Sequence, residues 1–247
     1  MMRLPLRLPS ALLFLTVSVL SADGPVVGEK ASYGLRWGFV SVGAVEISLE
    51  EVNGGHHQAV LDAKANAFMR GVYDFHTIIS SRFAPGAKRS EGYFRDEKTT
   101  EDLHRTFFDW NANTVRYSKN GDERLSLPLR PGCHDPLSVV FAFRSGAVPL
   151  RPGTQRIWVS DGKVVEKAEF RVKGPETVKT PAGKFRAYRI TADFGGVRAI
   201  FARPEGALID VWLSDDDRML PVKLKSEATI GSFTAVLREY GGPGEGE

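Results

Sequence analysis

The sequence predicts an all-β protein: a strongly curved or closed antiparallel, barrel-like sheet with one short helix near residues 135–145. Three observations carry this. Apolar and polar residues alternate with period two through most of the chain, which puts successive side chains on opposite faces of a sheet. Clusters of Gly, Pro, Asn, Asp and Ser interrupt the alternation at short, even intervals, as in barrels and sandwiches. Only one stretch has helical spacing and a cap. The count is about a dozen strands, and a sheet of that size must curl or close to hide its edges.

Taken in order, Tyr33, Leu35 and Trp37 alternate, Ser41-Val42-Gly43 turns, and Val45, Ile47 and Leu49 alternate again, giving a hairpin. Asn53-Gly54-Gly55 makes the next turn, and Gln58–Ala67 is a strand. Phe68–Tyr73 has the character of a short helical turn. Phe75–Phe83, Arg89–Lys98, Glu101–Trp110 and Thr114–Ser118 are further strands, and Lys119–Asp122 turns. Asp135 then suits an N-cap and Pro136 a first helical position; Leu137, Val140, Phe141 and Arg144 follow at helical spacing, and Gly146 ends the helix. Val148–Gly153 is a connection and the expected place of any subdomain boundary. Gln155–Ser160 and Lys163–Val172 flank Asp161-Gly162, a hairpin signal; Glu176–Thr180 and Phe185–Asp193 flank Pro181-Ala182-Gly183, and Val197–Arg203 is a short strand. The meander Ala207–Tyr240 closes the domain. Its first strand is apolar on both faces and therefore central, and Pro221, which has no N–H, requires an edge or a bulge. Gly241–Glu247 is a tail.

Met1–Ala22 reads as a secretory signal peptide: Arg3 and Arg7, then the ten-residue apolar run Ala11–Leu20, then small Ser21 and Ala22. Its removal takes away two arginines and no acids, leaving a formal charge of +1 in place of +3. So weak a charge gives no case for nucleic acid. No later segment is long and apolar enough for a transmembrane anchor. Cys133 is the one cysteine, so stability rests on the core rather than on disulfides.

Several runs together resemble one bacterial family, the exported domain-of-unknown-function family 3108. Glu29 to Gly43 is similar to its opening aromatic strand and glycine turn. His134-Asp135-Pro136-Leu137-Ser138 through Arg144 is similar to its central helix, with His134 departing from the Gln often found there. Gly153 to Gly183, ending in Thr180–Phe185, resembles its long hairpin, and Val211–Leu224 its W-L-S-x-D-x-R-x-L-P run. The resemblance covers nearly all of residues 23–240. It implies an all-β, envelope-associated protein and carries no agreed activity or catalytic residues.

The residues imply no cofactor. Cys133-His134-Asp135 has the residue types of a thiol triad, but consecutive residues do not converge on one reacting atom. His56, His57, His76, His104 and His134 lack zinc-site spacing, and no phosphate loop, dinucleotide fingerprint or nucleophile elbow is present. Three consecutive acids, Asp215-Asp216-Asp217, read as a solvated turn. What is left is a curved sheet able to hold an apolar cleft, with Trp37, Arg82, Asp135, Arg144 and Trp212 as candidate ligand contacts. The expected role is non-catalytic binding or carriage of an envelope lipid or glycan. Two alternatives are an assembly factor that meets another envelope protein through a strand edge and a hydrolase drawing a carboxylate pair from Asp74, Glu91, Asp109, Asp135 and Asp210.

Overall fold

Among the described residues, alternation in the sequence becomes fourteen strands of one antiparallel sheet. The computed structural model describes residues 24–198, 207–227 and 231–243. The expected signal peptide, the end of the tail and most of the expected strand Val197–Arg203 lie outside them. The strands are β1 (Lys30–Trp37), β2 (Val40–Val52), β3 (His56–Ala65), β4 (His76–Phe83), β5 (Ser90–Glu97), β6 (Asp102–Asp109), β7 (Thr114–Lys119), β8 (Asp122–Pro128), β9 (Gly153–Ser160), β10 (Val165–Thr180), β11 (Gly183–Asp193), β12 (Ile209–Ser214), β13 (Pro221–Glu227) and β14 (Ser232–Gly241). Among the described residues two short α-helices interrupt them, α1 (Ala67–Arg70) and α2 (Ser138–Arg144), with a 3-10 turn at Pro85–Ala87.

β1 to β8 each pair with the next in sequence, as do β9 to β14, and β14 pairs with β1; β8 and β9 do not pair and form the two edges. The segment between them must travel from one edge to the other. Laid flat at about 4.8 Å per strand, the edges would stand roughly 60 Å apart. Instead the Ser90 amide at the start of β5 donates to Cys133 O at 3.0 Å, and the next residue, His134, pairs with β9, its N–H bonded to Trp158 O at 2.8 Å. One dipeptide bonds both to β5 and to β9, strands from opposite halves of the sheet, only because the sheet curls. The tip of the β9–β10 hairpin seals the same gap: Thr106 Oγ1 of β6 donates to Asp161 O at 2.9 Å. A Cβ on the neighbouring Gly162 would stand 2.3 Å from Thr106 Oγ1, and its φ of +92° also demands glycine. The sheet is therefore strongly curved and barrel-like, brought together by contacts, while its edge strands do not hydrogen-bond to each other.

Several elements differ from expectation in instructive ways. β12 is central, as its two apolar faces require, and Pro221 lies opposite a register shift at Trp212/Leu213, the bulge it needs. β10 is one long strand rather than two, with a bulge at Lys173–Pro175 absorbing the break. β8 was not expected: its residues are almost all exposed, so it has no apolar alternation to read. β3 opens at His56 rather than at the expected Gln58, and Gly241 ends β14 opposite Lys30 rather than opening the tail.

α2 is the plug of the curl. All its residues except Val140 are buried, as expected for a helix surrounded by core. Phe141 stacks on Phe83 of β4 at 5.3 Å, and Phe143 meets Phe170 of β10 at 5.6 Å. The helix thereby ties the two halves of the sheet together.

Candidate functional site

Both ends of α2 are pinned by buried polar groups. At the N-terminal end, Asp135 is wholly buried. Its Oδ1 accepts the amides of Leu137 at 2.8 Å and Ser138 at 2.9 Å, so it caps the helix as its sequence position predicts. Its Oδ2 accepts the hydroxyls of Ser81 (2.6 Å) on β4 and Ser90 (2.7 Å) on β5. Burial raises the carboxyl's pKa, and these four donors oppose the rise. At the other end, Arg144 forms a two-pronged pair with Glu29, in which Nη2 donates to Oε2 at 2.9 Å and Nη1 to Oε1. Arg144 Nε also donates to Met219 O at 3.1 Å, and Tyr240 donates its hydroxyl to Glu29 at 3.2 Å.

Cys133-His134-Asp135 is thus a clasp. Burial pushes the Cys133 thiol up to about 12, far from a nucleophile's range, and pulls His134 down to about 4. The His134 shift predicts a pH dependence. Its folded pKa lies below the unfolded value, so its contribution is present above about 6.5 and is lost as pH falls towards 4. Asp135 has the opposite sign: its raised pKa favours folding at low pH, and that contribution is lost as pH rises through the folded value. His134→Gln removes only the first term. Urea titrations should show the wild type's stability relative to the variant growing by up to roughly 3 kcal/mol from pH 4 to 6.5 and then levelling off. A constant difference across that range would show that His134 is not buried neutral.

Between α2 and the inner wall of the sheet runs an apolar cleft in two lobes. Ala31, Val45, Ile47, Leu61, Leu220 and Ala235 wall the first; Phe170, Ile190, Phe194, Ile209 and Leu213 wall the second. Val140, Val211 and Leu224 belong to both lobes and make them continuous. Room for water centres is about 50 Å³ in the first and about 30 Å³ in the second. One water needs roughly 10–15 Å³ on that measure, and also 2–4 polar partners, which the second lobe does not offer among the described residues. Tyr33 stands at the polar end of the first lobe, beside Glu29 and Arg144. It is 4 % exposed, and its hydroxyl has no hydrogen-bond partner among the described residues.

Of the five expected ligand contacts, the structure brings Asp135 and Arg144 to α2 and spreads the others. Asp135 spends its oxygens on the cap and the serines, while Arg144 borders the first lobe. Arg82 lies on the outer face beside Glu91 at 3.4 Å. Trp212 also points outward, donating to Glu176 at 2.5 Å with Arg189 and Lys223 over its ring. Trp37 ends β1, partly exposed. Beside it an apolar patch forms. Phe39 and Val40 on the β1–β2 turn and Phe68, Val72 and Tyr73 around α1 are exposed, and the Asn66 amide group links the two segments by donating to Ser41 O at 2.7 Å. The candidate carboxylates do not gather. Asp210 pairs with Arg189, Glu91 with Arg82 and His56, and Asp109 caps the amides of Asn111 and Ala112. The triple-acid run is a turn whose Asp215 and Asp216 pair with Arg186 and Arg218. Glu97, Asp102 and His104 lie close enough to share a cation, but Arg95 and Lys119 already neutralise the two carboxylates at 2.8 and 2.9 Å. Sequence reasoning missed Tyr33 and Glu29 as parts of the site. Tyr33 reads as one more core aromatic, and Glu29 lies 115 residues from its partner.

A family model described as "Protein of unknown function (DUF3108)" matches residues 32–238. The fold is similar to that of a beta-barrel-like protein of the domain of unknown function DUF1849 from Brucella abortus, at a TM-score of 0.62 and 11 % identity over 88 % of this chain and 98 % of that one. Weaker likenesses are to an exported protein with a YmcC-like fold from Bacteroides fragilis (TM-score 0.39, 12 % identity, 88 % and 97 % covered) and a lipoprotein from Parabacteroides distasonis (0.35, 12 %, 89 % and 98 %). No protein of curated function matches in sequence.

Proposed function

We propose that this chain, which belongs to the DUF3108 family, is an exported envelope protein that binds an amphiphile: an apolar chain lies in the cleft under α2, and its polar group meets Tyr33. The two-lobed cleft with one buried, unpartnered hydroxyl at its polar end carries the reading. Apolar walls favour a methylene chain at about 25 cal/mol per Å² buried, whereas a glycan would leave its hydroxyls unpaired there. The narrow lobes mean that a chain enters by displacing Val140 and its neighbours on α2, the one helix face not fully buried. The leader-like Met1–Ala22 supports export.

Native mass spectrometry of the protein purified from its own envelope tests this. The expected result is a co-purifying lipid-sized mass. Val140→Trp, which fills the junction of the lobes, should remove it. Tyr33→Phe should lower its occupancy several-fold without lowering the urea midpoint, because the hydroxyl it deletes has no hydrogen-bond partner among the described residues. Bare protein in every preparation, or full occupancy in Val140→Trp, would defeat the reading.

A second reading, an assembly factor, draws on the exposed patch of Phe39, Phe68, Val72 and Tyr73, since such patches mark interaction surfaces. In the same preparations, Phe39→Asp/Phe68→Asp would then lose a co-purifying protein and keep any lipid.

A further inference from the structure

A second pocket lies on the inner face of the sheet, where the chain reverses the usual pattern and turns charge inward. In β5 the alternation Tyr93, Arg95, Glu97 continues the buried face, because Tyr93 pairs with Ser81 and Arg95 with Ile79, both inward residues of β4. Across the ladder, His104 is opposite Arg95, and Tyr117 lies two strands from Tyr93. The β9–β10 turn folds over them, adding Asp161 and Lys163, with Arg198 at the mouth. Room for water centres is about 40 Å³, the space of roughly three waters.

All the local carboxylates are spent. Arg95 neutralises Glu97 and Lys119 neutralises Asp102. Asp161 accepts the main-chain amides of Lys163 at 2.9 Å and Arg198 at 3.0 Å. Lys163 and Arg198 have no ion pair among the described residues. The Lys163 ammonium stands 5.1 Å from the Tyr117 ring centroid. The Tyr93 hydroxyl, in a residue 4 % exposed, has no hydrogen-bond partner among the described residues. Arg95 Nε, although 2.8 Å from Glu97, is out of line for a hydrogen bond. Donors are therefore left over and acceptors are not, the reverse of a cation site.

We infer that this pocket binds a small oxyanion of the phosphate class, with the Tyr93 hydroxyl, the Lys163 ammonium and the Arg198 guanidinium as its donors. Charge-assisted bonds of this kind are the strong ones, and a buried phenol with no partner is completed by such a guest rather than strained by it. His104, held neutral by burial and by Lys163, is the reporter: a bound anion raises its protonation midpoint. The inference does not depend on the apolar cleft, and either site can fail alone.

The test is ring-proton NMR of His104 and Tyr117 in the full-length protein. Inorganic phosphate and glycerol 1-phosphate are titrated, with glycerol as the neutral control. Saturable shifts with either phosphate, an upward move of the His104 midpoint and no response to glycerol are expected. Lys163→Gln should weaken binding about tenfold. Tyr93→Phe should weaken it several-fold with no loss of thermal stability. Equal affinity for the two phosphates identifies a free anion as the guest; tighter glycerol 1-phosphate identifies the head of a larger ligand. Absence of saturation, an equal response to glycerol, wild-type binding in both variants, or the same His104 shift produced by zinc alone would overturn the assignment.

Discussion

Asp135→Ala should cost about 4 kcal/mol of folding stability. The loss has identifiable parts. The helix cap contributes about 1 kcal/mol. Two serine hydroxyls and two amides, all buried, then lose their acceptor, and each unpaired group costs roughly 1–3 kcal/mol before relaxation. The terms share one carboxyl and do not simply add. Asp135→Asn should cost much less: its oxygen still caps the amides, and its amide group donates to the serine oxygens once their hydroxyls rotate. Urea denaturation of both variants checks the contrast. Equal losses in the two would mean that the carboxyl matters for its charge and not for its acceptors.

The second large effect is at the other end of α2. Arg144→Met should cost roughly 3–5 kcal/mol, because Glu29 is then a buried charge without its partner. The double variant Glu29→Leu/Arg144→Met should recover at least half of that, since two apolar groups replace two charges that had to be desolvated. A double variant as unstable as the sum of the singles would show that Glu29 and Arg144 act independently, with no coupling between them.

The fold was largely legible. Period-two alternation located most of the strands, the apolar faces of Leu208–Leu213 made β12 central, and Pro221 announced its bulge. Asp135-Pro136 announced the capped helix. These succeed because burial and backbone chemistry act locally. β8 escaped because Asp122–Pro128 is an exposed edge with nothing to bury. The site was much less legible. Trp212 reads as a cavity aromatic, yet Glu176, Arg189 and Lys223 form a polar seat for it on the outer face. The Glu29–Arg144 pair and the buried hydroxyls of Tyr33 and Tyr93, which find no hydrogen-bond partner among the described residues, depend on which strands the curl brings face to face, and no local pattern encodes that. One signal was available for the polar pocket: Arg95 and Glu97 fall on the same alternating face as Tyr93, a charged pair where apolar residues belong.

The proposed binding requires that α2 leave a passage for an oily chain against the inner wall of the sheet. A fatty acid carrying a nitroxide on its tail, added to methyl-labelled protein, reads this directly. Selective broadening of the methyl signals of Ile47, Val140 and Leu224, lost in Val140→Trp, is the expected result. Broadening confined to Val40 and Val72 on the exposed patch, with those three signals untouched, would contradict it.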